Sequence, residues 1–208
     1  MSIPISERST GKNRETLLTL TSGGVCIALA TVLSMIKLWQ APMGGSVTPG
    51  SMLPLLICGF AFGPVWGCGV GLVYGILQYI LDPFPLTVFS FLLDYPLAFG
   101  ALGLSGFFAA PRPQRLAQRN ILRRLGLISF PRLLLGTLVA VLARACFHFL
   151  SGFIFYGSYA ADYGYSSPVL YSLVYQAQYM LPELVILIVL LFVIKRIFYG
   201  QAGRNQPT

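Results

Sequence analysis

Long apolar stretches, bounded by glycine, proline or polar residues, run through most of this chain and decide what it can fold into. In hydrocarbon every backbone N–H and C=O must be satisfied within the protein, and a crossing helix needs about 20 consecutive apolar residues. On that measure six candidates stand out: residues 17–38, 51–62, 64–82, 86–110, 128–154 and 167–198. The second, within SMLPLLICGFAFG, is short for a crossing, and GPVWG reads as a tight turn into the third, so these two are expected to form a shortened hairpin. The architecture this predicts is an all-α membrane protein with six transmembrane helices in a single integral membrane domain. Polar tails flank the bundle at 1–16 and 199–208.

Composition narrows the function classes. With 56% hydrophobic and 10% charged residues, the chain is far from a water-soluble domain. Its net charge of +8 would suit nucleic acid, but basic residues in a membrane protein ordinarily report orientation against the anionic cytoplasmic leaflet, and no nucleic-acid partner is expected. The N-terminal stretch MSIPISERSTGKNRE has no small-residue cleavage site after it and reads as a retained tail. With the N-terminus placed inside, the inner segments hold Arg8, Lys12, Arg14, Arg112, Arg115, Arg119, Arg123, Arg124, Lys195, Arg196 and Arg204, against Lys37 alone outside. Both termini are therefore expected to be cytoplasmic. Cys26, Cys58, Cys68 and Cys146 lie in apolar runs without ligand spacing, so neither a disulfide framework nor a metal site is implied. No GxxxxGK[ST] loop occurs, so energy for any transport must come from another subunit or an ion gradient.

The informative residues are the polar ones inside the spans, where an ionisable group is costly and marks a pairing or a function. At about 1.5 Å per residue, Asp94 and Arg144 each lie roughly 12 Å below the outer ends of their helices and His148 roughly 6 Å below. Arg144 and His148 are spaced i, i+4 and share one face. The three can meet. A structural Asp94–Arg144 ion pair is one reading. The alternative is a pocket for a small, flat, cationic ligand, because Trp39, Tyr95, Tyr156, Tyr159, Tyr163, Tyr165, Tyr171 and Tyr175 supply aromatic faces near the same level. Glu183 comes out deeper, at roughly 22 Å. On the first span, Gly24xxxAla28 and Cys26xxxAla30 form small-xxx-small pairs that allow close helix approach.

A serine hydrolase reading fails on geometry. GLSG at 103–106 and His148 resemble the pair of rhomboid-type intramembrane proteases, but Ser105 falls roughly 20 Å from His148 in depth. No enzyme activity is expected.

Five ordered segments, GGSVTPGSMLPLL, GLVYGILQYIL, LLDYPLAFGALGLSGFF, RACFHFLSGFIFYGSYA and LYSLVYQAQYMLPE, resemble the thiamine-specific S-component of energy-coupling factor (ECF) vitamin transporters, over about residues 17–198. The resemblance implies a six-helix S-component bundle in a bacterial cell membrane that captures thiamine from outside. It further implies a coupling transmembrane subunit and two cytoplasmic ATPases as partners, and no cofactor. Residue by residue, the family's acid–tyrosine pair matches Asp94 and Tyr95, with aspartate where a member of the family has glutamate. The fifth-helix motif matches His148 and Gly152, a stacking tryptophan falls at Tyr156, and the YSLxxN pattern appears as Tyr171 and Gln176. Trp39 lies where the family places an aromatic at the end of the first helix, and the small residues Gly24, Cys26, Ala28 and Ala30 lie on its docking helix. These residues imply that Asp94 neutralises or hydrogen-bonds the ligand, that His148 and Gln176 fix the pyrimidine edge, and that Tyr95, Tyr156, Tyr171 and Trp39 enclose the rings. A self-sufficient proton-coupled transporter, with Glu183 or Asp94 as carrier, is the competing reading.

Overall fold

The structure, a computed structural model, describes residues 5–42, 44–84 and 87–202, with side chains between 13 and 197. The tail residues 1–4 and 203–208, among them Arg204, and the side chains of Arg8 and Lys12 lie outside the described residues. The chain is built from helices: α1 (Ile5–Met35), α2 (Leu53–Phe62), α3 (Pro64–Leu81), α4 (Val88–Phe108), α5 (Arg112–Ala117), α6 (Ile121–Gly126), α7 (Phe130–Phe155) and α8 (Pro168–Ala202). Parts of α1 and α8 and the whole of α3, α4 and α7 are long and apolar enough to cross a membrane, which makes five such spans among the described residues.

The sixth expected helix is α2, and it is a half-length element. Its ten residues rise only about 15 Å, and every one except Ile57 is buried. Gly63, at φ 96°, turns the chain directly into α3, the left-handed backbone that glycine tolerates best. The shortened hairpin expected from the sequence is therefore present, with its shorter arm enclosed by the other helices.

Between α1 and α2 the connection contains a two-rung ribbon: β1 (Trp39–Gln40) pairs antiparallel with β2 (Ser46–Val47). The helix ends at Met35, three residues before the expected boundary. Two further helices, α5 and α6, occupy the basic connection between α4 and α7, with the Asn120 side chain capping α6.

α4 is one rod with several geometries. A Thr87–Ser90 capping box starts it. Pro96 then interrupts the helix, since it has no N–H to donate, and the backbone widens into a π turn over Leu93–Leu97 before tightening to 3-10 geometry at Leu102–Phe108. Close packing with α3 holds this rod. A Cβ at Gly71 would collide with the Phe99 carbonyl, and one at Gly75 would sit 2.5 Å from the Tyr95 carbonyl oxygen. The π turn that carries Asp94 and Tyr95 is thus pressed against a glycine face at backbone distance.

One end of the bundle collects the basic groups. Arg124, 1% exposed, makes a bidentate pair with Glu15 at 2.7 and 2.9 Å. Lys195 donates to the Gly126 and Ile128 carbonyls. These contacts bring the N-terminal part of α1, the α5–α6 connection and the C-terminal part of α8 to the same end. At the opposite end Lys37 pairs with Asp82 at 2.6 Å.

Candidate functional site

A cavity opens near the Lys37–Asp82 end, between the first connection and helices α3, α4, α7 and α8. Its polar centre is a chain of three side chains. Asp94 on the π turn of α4 accepts at Oδ1 from His148 Nδ1 at 2.9 Å and at Oδ2 from the Ser151 hydroxyl at 2.5 Å. On the far side of the imidazole, Arg144 Nε donates to His148 Nε2 at 3.2 Å. A guanidinium can only donate, so Nε2 is the accepting nitrogen and Nδ1 carries the proton given to Asp94. The ring is therefore held in one neutral tautomer. The direct Asp94–Arg144 ion pair allowed by the sequence is replaced by this relay through His148. Arg144 also lies 4.2 Å from the centroid of Phe99, where cation and ring face attract.

α8 supplies the opposite wall. Gln176 donates through Nε2 to the His148 carbonyl at 3.2 Å and accepts at Oε1 from the Tyr179 hydroxyl, so its amide joins α7 to α8. Gly152 lets the two helices approach, since a Cβ there would lie 2.5 Å from Ser172 Oγ. Aromatic rings form the cover. Tyr95 donates to the Asp82 carbonyl at 2.7 Å and accepts from the Phe84 N–H at 2.8 Å, while Tyr156 donates to the Phe84 carbonyl at 2.7 Å. Two tyrosines, one on α4 and one just past the end of α7, thus hold the α3–α4 connection. Tyr171 is buried and stacks on Tyr163 with ring centroids 5.7 Å apart. From the first connection, the Gly45 N–H donates to the Tyr175 hydroxyl at 3.0 Å.

Of the residues expected to contact a ligand, Asp94, Tyr95, His148, Gly152, Tyr156, Tyr171 and Gln176 all line this cavity. Trp39 does not. Because α1 ends at Met35 and the chain turns into the ribbon, its side chain stands 45% exposed outside the lining. The expected docking residues also divide. Gly24 and Ala28 face outward, and a Cβ at Gly24 would meet nothing within 4 Å. Cys26 and Ala30 are instead buried at 7% and 0%, packed inside the bundle, where the Tyr74 hydroxyl bonds the Ala30 carbonyl at 3.4 Å. They offer no surface to a partner.

Several lining residues were not anticipated: Ser34, Thr48, Ser51, Gln78 and Tyr179. A short polar side chain such as Thr48, in a loop of glycines and serines, carries no periodic signal that would single it out. Glu183, expected below the other polar groups, also reaches the lining. Ser105 donates to the Leu56 carbonyl at 3.3 Å and is fully buried, so it has no part in a serine–histidine pair. Among the described residues no cluster of three or more His, Cys, Asp or Glu could hold a metal ion.

The thiamine transporter protein family (Thia_YuaJ) matches residues 20–200. The thiamine transporter ThiT of Bacillus subtilis is 31% identical over 179 residues, covering 84% of this chain and 88% of the relative. ThiT of Lacticaseibacillus paracasei is 27% identical over 165 residues, covering 76% and 79%. A solved structure of ThiT from Listeria monocytogenes superposes with a TM-score of 0.71 at 24% identity, over 88% of this chain and 96% of that one, which establishes the shared fold.

Proposed function

This chain belongs to the thiamine transporter protein family, and from that premise we propose that it captures thiamine at the outer face of a bacterial plasma membrane. It then delivers the vitamin inward as the substrate-specific subunit of an ATP-driven ECF assembly. The observation that carries this reading is the joining of Asp94, His148 and Arg144 into one polar relay beneath tyrosine rings, in a cavity at one end of the bundle.

Thiamine joins an aminopyrimidine to a permanently cationic thiazolium. A flat aromatic cation gains most from ring faces and from fixed hydrogen-bonding groups in a dry site. In this reading Asp94, His148 and Gln176 orient the pyrimidine edge, and Tyr95, Tyr156 and Tyr171 enclose the rings. Gly152 keeps the wall between α7 and α8 thin. The basic end of the bundle is assigned to the cytoplasm by the excess of Lys and Arg there, which leaves the cavity facing outward.

A coupling membrane subunit and two cytoplasmic ATPases complete the proposed assembly. The chain has no phosphate-binding loop of its own, and the outward Gly24–Ala28 face of α1 suits close approach of another helix. Mass spectrometry of the small molecule retained after gentle detergent purification, followed by titration calorimetry, tests the ligand. Retained thiamine and tight binding are expected; no heat on thiamine addition would sink the reading. Thiamine uptake by vesicles containing this chain alone would instead favour the proton-coupled alternative.

A further inference from the structure

The cavity lining holds one more carboxylate than its cations balance. Asp94 and Glu183 contribute two formal negative charges and Arg144 one positive, leaving a net −1. Asp82, also at the lining, is paired with Lys37. His148 adds nothing, since its Nε2 is an acceptor.

The two carboxyl groups differ in what they still need. Asp94 accepts at both oxygens and is joined through the imidazole to the guanidinium. Glu183 is 3% exposed, and its Oε1 accepts from the Thr48 N–H and hydroxyl, both at 2.5 Å. Its Oε2 is buried with no hydrogen-bond partner among the described residues. Among those residues no ion pair within 4.0 Å reaches Glu183, and the Arg144 guanidinium acts on it only through space. Thr48 also bonds Ser51, so the first connection fixes the carboxyl in place. Pro182, immediately before it, has no N–H to draw on. A buried acceptor left empty costs free energy, and a buried negative charge with no counter-charge in contact costs more. A proton on the carboxyl, or positive charge supplied from within the cavity, relieves that cost.

We propose that Glu183 supplies the counter-charge by which this cavity selects a monocationic ligand over a neutral ligand of the same shape, while Asp94 serves the hydrogen-bonding relay. The proposal rests on the thiamine reading of the site. With Glu183 neutral, the lining carries no net charge, and a thiazolium ring has no electrostatic advantage over an uncharged ring.

The test is titration calorimetry on the purified full-length protein with thiamine and with deazathiamine, in which a neutral thiophene replaces the thiazolium. The wild-type protein is expected to prefer thiamine by at least about tenfold. In Glu183→Gln the preference falls to within about threefold while the affinity for the neutral analogue holds, and Glu183→Asp, which keeps the charge, retains it. A merely structural role would weaken both ligands together. Equal binding of the two ligands by the wild-type protein overturns the proposal whatever the variants do, as does a Glu183→Gln preference equal to wild type. A wild-type protein that binds deazathiamine and not thiamine overturns it as well. One that binds neither removes the thiamine reading, and this proposal with it.

Discussion

Asp94 and His148, 54 residues apart in the chain, meet at 2.9 Å between Oδ1 and Nδ1. The contact exists because a π turn at Pro96 aims one residue from α4 at the outer third of α7. Arg144 on the other ring nitrogen fixes the direction of that hydrogen bond. Asp94→Asn removes two charge-assisted acceptor bonds. Thiamine affinity is expected to fall by about 2–3 kcal/mol, roughly 30- to 150-fold, with the protein still folded. Unchanged affinity by calorimetry would defeat this role for the relay.

Ser151 touches the relay at a single point, the Oδ2 of Asp94. Ser151→Ala should cost about 1 kcal/mol of binding, since His148 still holds the other oxygen. In the double variant with Asp94→Asn the two losses should fall short of their sum, because both act through one carboxylate. Strict additivity would show that Ser151 acts elsewhere.

Gly75 faces the Tyr95 carbonyl and the Pro96 backbone, and no side chain there can move aside. Gly75→Ala is expected to push α3 away from the π turn and to lower stability by about 1–3 kcal/mol. Thermal unfolding in detergent checks this. Gly69→Ala, where a Cβ meets nothing within 4 Å, is the matched control and should unfold at or above the wild-type temperature.

On α1 the two small-residue pairs should separate by phenotype. Gly24→Leu adds bulk to an open outward face, so thiamine binding by the isolated subunit is expected to persist while uptake with the coupling subunit and ATPases is lost. Ala30→Leu adds bulk at a fully buried position and should destabilise the subunit itself by about 1–3 kcal/mol. Normal uptake by Gly24→Leu would remove this face from the docking surface.

Much of the site was legible before any fold was known. Asp94, Arg144 and His148 stand out because ionisable groups in hydrocarbon are costly, and helical rise alone places them at similar depth. The tyrosines could be counted but not oriented, and those that reach the lining are Tyr74, Tyr95, Tyr156, Tyr171, Tyr175 and Tyr179. Trp39 lies outside the lining because α1 stops at Met35 and gives way to a ribbon, which nothing local announces.

The amino-acid sequence by itself determined the membrane class, the approximate spans and the polar residues that must find partners, because hydrocarbon forces backbone closure and penalises every stray charge. Which face each helix turns inward was decided only by tertiary packing. Lipid-facing and core-facing sides are equally apolar, so hydrophobic periodicity cannot separate Gly24 and Ala28 from Cys26 and Ala30, nor reveal that glycines 71 and 75 carry α4. The same packing leaves one oxygen of Glu183 without a partner beside the cavity, because the segment that reaches it supplies donors to the other oxygen alone.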